Sequence, residues 1–360
     1  MNGRSPLHAP LRNIIFIFCL LLFSSGLSAQ GNKMWTAAKA NAWYKKQPWL
    51  VGCNFIPSTA INELEMWQRE TFDSLTIDRE LGWAESIGMN VVRVFLHNIP
   101  WAIDSLGFKQ RVQTFLSISQ RHRIQTLFVL FDDCWNPDPK AGKQPAPLPG
   151  VHNSGWVQAP GKKMHDDTNS WNDLEAYTKG VLTAFREDNR ILGWDLYNEP
   201  GNSGYGVQSM MLLKKIFNWA WTVRPSQPIT VGIWNNDFKS LNQYQLANSD
   251  IISFHNYNAT PKLEEEIKSL QARGRPLICT EYMARTNNSR FITHLPVFKK
   301  YKVAAINWGL VSGKTNTIFP WNSKQGSTEP ATWFHDVFRQ DGTPFDKTET
   351  VFIRKITASH

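Results

Sequence analysis

The chain has 360 residues, 42% of them hydrophobic and 12% aromatic, and a formal net charge of +9, which is enough apolar material for one large domain with a sizeable core. No lysine and arginine cluster interleaves with aromatics, so nucleic acid is not indicated as a partner. There is no CxxC pair, no HExxH and no glycine-rich phosphate loop after the first predicted strand, which leaves a metal or a cofactor without support.

In chain order, Arg4 and Arg12 precede an apolar run over 14–23, and small residues fill 24–29. That pattern predicts a secretory signal cleaved after Ala29. The run falls short of the ~18 to 20 residues that a spanning helix needs, so the expectation is a secreted or periplasmic protein, monomeric, with no transmembrane span after cleavage. Cleavage removes Arg4 and Arg12 and lowers the charge from +9 to +7. Cys53, Cys134 and Cys279 remain, all in or just after predicted strands. Their odd number and apolar settings read as buried free thiols.

From Trp49 onward, short apolar runs alternate with amphipathic stretches. Strands are predicted over 50–56, 90–96, 125–131, 191–198, 229–234, 251–255, 276–282 and 303–308. Helical stripes separate them: Ile77, Leu81, Ala84 and Ile87; Val112, Phe115 and Leu116; Trp171, Leu174, Tyr177, Val181 and Phe185; the segment 206–223; and Leu263, Ile267 and Leu270. Residues 136–170 show no period and are rich in Pro, Gly, Asn and Lys; a loop that long in a compact domain usually serves function. Segments 330–338 and 346–356 are predicted to close the ring with helices. Eight alternating strand and helix units imply parallel strands with right-handed crossovers, and hence an α/β fold: a single-domain (β/α)8 TIM barrel over 30–360, after a signal at 1–29.

In such a barrel, chemistry collects at the carboxyl ends of the strands. Asn198 and Glu199 end the fourth strand, where Pro200 and Gly201 stop the ladder, and Glu281 ends the seventh. Two facing carboxylates are what glycosidic bond cleavage requires, one protonated to serve the departing oxygen and one ionised to attack the anomeric carbon. Glu199 is the candidate acid/base and Glu281 the candidate nucleophile. Arg93 is a lone charge in the strand Val91-Val92-Arg93-Val94-Phe95 and needs a buried carboxylate partner. If Glu281 is that partner, its pKa falls; Asp132 or Asp195 would make a purely structural pair. His255 and Tyr257 alternate along one strand so that both point the same way. Trp308 closes the eighth strand as a surface for a sugar ring, and Trp135, Trp156, Trp234 and Trp321 lie in or beside loops on the same face.

The runs Trp-Asp-Leu-Tyr-Asn-Glu-Pro at 194–200, Phe-His-Asn-Tyr at 254–257, Thr-Glu-Tyr at 280–282 and the tryptophan at 308 resemble the clan A glycoside hydrolases, and most nearly the cellulase-like family 5. The resemblance implies a retaining double displacement with Glu199 as acid/base, Glu281 as nucleophile, Asn198 on the sugar's 2-hydroxyl and Arg93 supporting the nucleophile. Members of that family often carry a histidine at the end of the third strand, where this sequence has Asp132 and Asp133; His97, after the second strand, is a candidate replacement. The reading is a secreted retaining β-glycosidase without metal or cofactor, acting on a β-linked poly- or oligosaccharide. It leans to a cellulase- or mannanase-like endo-enzyme if the 136–170 loop leaves an open cleft, and to exo-action if that loop blocks one end. A transglycosylase and a silent glycan-binding barrel are the alternatives.

Overall fold

The computed structural model describes residues 1–3 and 34–358, so the signal predicted at 1–29 lies outside the described residues apart from its first three. Residues 34–358 build eight parallel strands: β1 (Val51–Asn54), β2 (Val91–Phe95), β3 (Gln125–Val129), β4 (Ile191–Asp195), β5 (Ile229–Thr230), β6 (Ile252–His255), β7 (Leu277–Glu281) and β8 (Ala304–Trp308). They pair in the order β5-β4-β3-β2-β1-β8-β7-β6. The ring closes between β5 and β6 through a bridge at Ile233, whose N–H reaches the Ser253 carbonyl at 3.1 Å and whose carbonyl accepts from His255 N–H at 2.9 Å. This is the (β/α)8 barrel read from the alternation.

The period of 2 in each strand sorts its side chains into two cores. Val91, Leu127, Leu192, Ile251 and Ile278 fill the barrel interior together with Ile306. Val92, Val94, Phe128, Trp194 and Cys279 face outward and meet the apolar stripes of helices such as Ser74–Ser86, Ser105–Arg121 and Trp171–Phe185. All three cysteines outside the predicted signal are free and buried.

Two elements differ from expectation. The fifth strand, expected over 229–234, is ordered as a ladder only at Ile229–Thr230. Beyond it the backbone groups are taken by side chains of neighbouring segments: Val231 N–H donates to Ser249 Oγ at 3.1 Å, and the Gly232 carbonyl accepts from Gln245 Nε2 at 2.6 Å. The second is 330–338, which is irregular rather than helical, although Lys347–Ala358 is a helix. Here tertiary partners replace the i to i−4 ladder. Buried Arg285 donates to the carbonyls of Trp333, His335 and Asp336, its remaining N–H groups hold Glu349, and its own N–H reaches the Phe334 carbonyl.

Arg285→Ala would strand three carbonyls and a mostly buried carboxylate. It should lower stability by about 3–5 kcal/mol, seen as a drop in the urea midpoint; an unchanged midpoint would contradict this account of the segment.

Candidate active site

The expected catalytic residues converge at the carboxyl end of the barrel, around Arg93. This arginine is fully buried on β2, and each of its five N–H groups has an acceptor. Nε and one Nη2 hydrogen reach Asp195 Oδ2 at 3.0 and 2.8 Å, and the other Nη2 hydrogen reaches Asn198 Oδ1 at 2.7 Å. Nη1 donates to Asn54 Oδ1 at 2.8 Å and to Glu281 Oε1 at 3.0 Å. Both readings of its partner therefore hold at once: Asp195 anchors the fork and Glu281 shares it.

Glu281 is held from its other side by the Tyr257 hydroxyl, which donates to Oε2 at 2.8 Å. Contrary to the expectation of a lowered pKa, the Glu281 carboxyl lies above its ordinary value. Burial is the largest cause and the nearby Glu199 adds to it, outweighing the downward pull of His255, Arg93 and Tyr257. Glu199 is raised too, again by burial, against hydrogen bonds from Asn202 and Cys134 and the more distant charge of Arg93. His255 bridges the two: Nδ1 lies 2.7 Å from Glu199 Oε1 and 3.5 Å from Glu281 Oε2. Burial lowers the imidazole pKa to about 4, so at neutral pH the ring is neutral: its contact with Glu199 is a hydrogen bond rather than an ion pair, and Glu281 lies beside it without one. An oxygen of each glutamate and a ring nitrogen of His255 all lie within 4.8 Å of one another. These three are also the one group among the described residues whose donor atoms could take a metal ion. The side chains of Glu199 and Glu281 keep 13% and 7% exposure, so both face the cavity rather than the packed interior.

Glu199 sits at φ +45°, a left-handed conformation that costs a non-glycine residue roughly 1–2 kcal/mol. The turn around it is pinned by Asp133. That carboxylate accepts from the Tyr197 hydroxyl at 2.6 Å, the Gly201 N–H at 2.8 Å and Ser209 Oγ at 2.6 Å. Asp133, read from sequence as a sugar contact, is thus buried behind the site and shapes the Glu199 turn. His97 is corrected in the same way. Its Nδ1 accepts from Ile99 N–H at 3.1 Å and its Nε2 lies 3.0 Å from the Gln158 carbonyl, so both nitrogens are used inside the fold. Arg93 also touches the cavity only through the groups it holds.

The remaining candidates line a cavity of about 870 Å³, within the ~300–1,000 Å³ of small-molecule sites. Asp132, Asn198, Tyr257, Trp308, Trp135 and Trp234 surround it. Asp132 is committed to its neighbours: Oδ1 accepts from Asn198 Nδ2 and Cys134 N–H, both at 2.9 Å, and Oδ2 from Trp156 Nε1 at 2.8 Å. Burial raises its pKa to about 6. Sequence reasoning missed Asn202 and the part played by Cys134. The amide Nδ2 of Asn202 lies 2.5 Å from Glu199 Oε2, and the thiol of Cys134 lies 3.3 Å from the same oxygen. Their signal was proximity alone: Asn202 one turn after Glu199, and Cys134 next to the aspartate pair.

A parallel eight-stranded barrel with two carboxylates facing one sugar-sized cavity is the architecture of a glycoside hydrolase, and residues 150–325 match the family model for cellulase, glycosyl hydrolase family 5. The chain is a glycoside hydrolase, and the family it resembles over this stretch is the cellulase-like family 5. No curated protein matches the sequence. Similar solved structures include a GH5_18 protein from Streptomyces cattleya in complex with GlcNAc, 11% identical over 86% of this chain and 80% of its own, with a TM-score of 0.60. The endo-β-1,4-mannanase of Thermotoga petrophila is 15% identical over 88% and 77%, TM-score 0.55. The exo-β-1,4-mannosidase Op5Man5 from Opitutaceae bacterium strain TAV5 is 14% identical over 86% and 59%, TM-score 0.56. At these identities the likeness is one of fold.

Asn202 donates to the ionised form of Glu199, so removing it should raise that carboxyl's pKa further. In Asn202→Ala, ¹³C NMR of the glutamate carboxyls should show Glu199 titrating at higher pH than in the native protein; an unchanged or lower value would contradict the hydrogen bond's role.

Proposed function

We propose that this chain is a secreted or periplasmic, monomeric β-glycosidase that hydrolyses β-linked glycans with retention, using Glu281 as nucleophile and Glu199 as acid/base. The observation that carries this reading is the approach of the two carboxylates to within 4.8 Å. Retaining enzymes hold the pair ~5–5.5 Å apart, whereas inverting ones leave ~6.5–9.5 Å for a water between them. The arginine and basic-flanked apolar run near the amino terminus supports export. Among the described residues, no helix is long and apolar enough to cross a membrane.

In the first displacement, Glu281 attacks the anomeric carbon while the bond to the leaving oxygen breaks and Glu199 donates its proton to that oxygen. In the second, Glu199, now ionised, takes a proton from water as the water oxygen attacks the same carbon and the ester to Glu281 breaks. The raised Glu199 pKa suits the first step, because a proton must still be present at working pH. Arg93 and Tyr257 hold Glu281 in one orientation and stabilise the charge that returns when the ester breaks. Neutral His255 holds Glu199 beside Glu281 without adding a third charge. Asn198, fixed between Arg93 and Asp132, is set to meet the sugar's 2-hydroxyl, and Trp308 to stack on its apolar face.

Glu281→Ala should lose turnover, and a mechanism-based 2-fluoro sugar should label Glu281 in the native enzyme. Glu199→Ala should slow substrates with poor leaving groups by about 10²–10⁴-fold and recover with azide on an activated aryl glycoside. Normal activity in either alanine variant would reject the assignment.

A further inference from the structure

We propose that the pocket is dead-ended and that the enzyme is exo-acting, removing single sugars from the non-reducing end of β-linked oligosaccharides. This deepens the retaining β-glycosidase reading and rests on it. It replaces the open cleft towards which the sequence leaned, for a reason visible in three loops.

The long loop after β3 and the loop after β8 are joined above β1 and β2. Asn153 N–H donates to the Thr315 carbonyl at 2.8 Å, Gly326 N–H to the Pro149 carbonyl at 2.9 Å, and Asn316 Nδ2 to the Leu148 carbonyl at 3.0 Å. His152 adds two more contacts, its N–H to Ser323 Oγ at 3.3 Å and its Nδ1 to the Phe319 carbonyl at 2.7 Å. The loop after β1 locks both: Lys314 N–H reaches the Ser58 carbonyl at 3.1 Å, Lys314 Nζ pairs with Glu65 at 2.6 Å, and Asn62 Nδ2 donates to the Gly155 carbonyl at 2.8 Å.

Leu148, Val151, His152, Asn153 and Ser154 of this arch line one side of the main cavity, and next to them, around the ends of β2 and β8, the space is filled. Phe95, Trp156 and Trp308 meet edge to face with centroids 5.2–5.8 Å apart, and Phe95 and Trp156 are each 3% exposed. The gap left behind Trp308 holds about 20 Å³, room for one water and not for a sugar. A sugar with its anomeric carbon at Glu281 and its face on Trp308 therefore has its far, non-reducing side against a wall. The opposite side is open. Beyond Glu199, the exposed Ser203 and Asn258 and the half-buried Trp234 border the path along which the leaving group, and any further sugars attached to it, extends into solvent.

The test uses β-1,4-mannotriose and cellotriose, each with a free non-reducing end or with that end capped by a 4-O-methyl group. The native enzyme should release a monosaccharide first from a free-ended trisaccharide and leave the capped form intact. The Glu281→Gln variant should bind the free-ended form at least about tenfold more tightly than the capped one. Cleavage of the capped sugar, a disaccharide released first from the non-reducing end, or binding that does not discriminate, including no binding of either form, would overturn the dead end. Discriminating binding without any turnover by the native enzyme would leave the dead end standing and count instead against the double displacement.

Discussion

The site is built on one buried guanidinium. Arg93 lies in the interior of the barrel, where an unpaired cation would cost several kcal/mol, and its five N–H groups are shared among four residues from three other strand ends: Asn54 on β1, Asp195 on β4, Asn198 just past β4 and Glu281 on β7. The planar fork fixes angles as well as distances. A lysine could supply the charge but not five directed bonds, so the relative orientation of Asn198 and Glu281 depends on this residue being arginine. Asp195 takes two of the bonds on one oxygen and never reaches the cavity; its part is to leave Arg93 stretched between two anions, which makes its hold on Glu281 only partial. Burial, with the neighbouring Glu199, keeps Glu281 above its ordinary pKa despite a guanidinium 3.0 Å away.

Much of this was legible in the chain itself because the constraints are local. A strand that reads as a covered apolar run and then ends in Asn-Glu-Pro or Thr-Glu-Tyr announces both a barrel and a carboxylate at its mouth. A single arginine in an apolar strand announces a buried partner. What was not legible was settled by contacts between residues far apart in sequence. Asp132 and Asp133 are adjacent, and nothing in their order tells that one faces the cavity while the other turns inward to Tyr197, Gly201 and Ser209. His97 looked available for a sugar because it follows a strand, but it is used up by Ile99 and Gln158. The segment 330–338 was expected to be helical as part of the ring's closure, and its backbone is claimed instead by Arg285, far earlier in the chain.

The turn at Glu199 shows how the fold meets a local cost with distant support. A left-handed glutamate is unfavourable in isolation, yet the Asp133 carboxylate holds both the Gly201 N–H just after it and the start of the following helix at Ser209. The carboxyl group thereby reaches the cavity, with His255 Nδ1 2.7 Å from one of its oxygens. Asn202 and Cys134 then bear on one oxygen and His255 on the other, so the carboxyl proposed as acid/base is held by contacts on both of its oxygens.

On the dead-ended, retaining reading proposed above, the lock among the loops after β1, β3 and β8 also dictates an order of events. With only one mouth, the first fragment cut away must clear the entrance before anything can approach the sugar left covalently attached at the back. Whatever enters next decides that sugar's fate: a water molecule sets it free, and a second saccharide arriving through the same doorway extends into a new glycoside. The balance between breaking chains and making them is therefore governed by traffic at a single opening, and the aromatic rim of Trp135, Trp234 and Trp321 stands where that traffic passes.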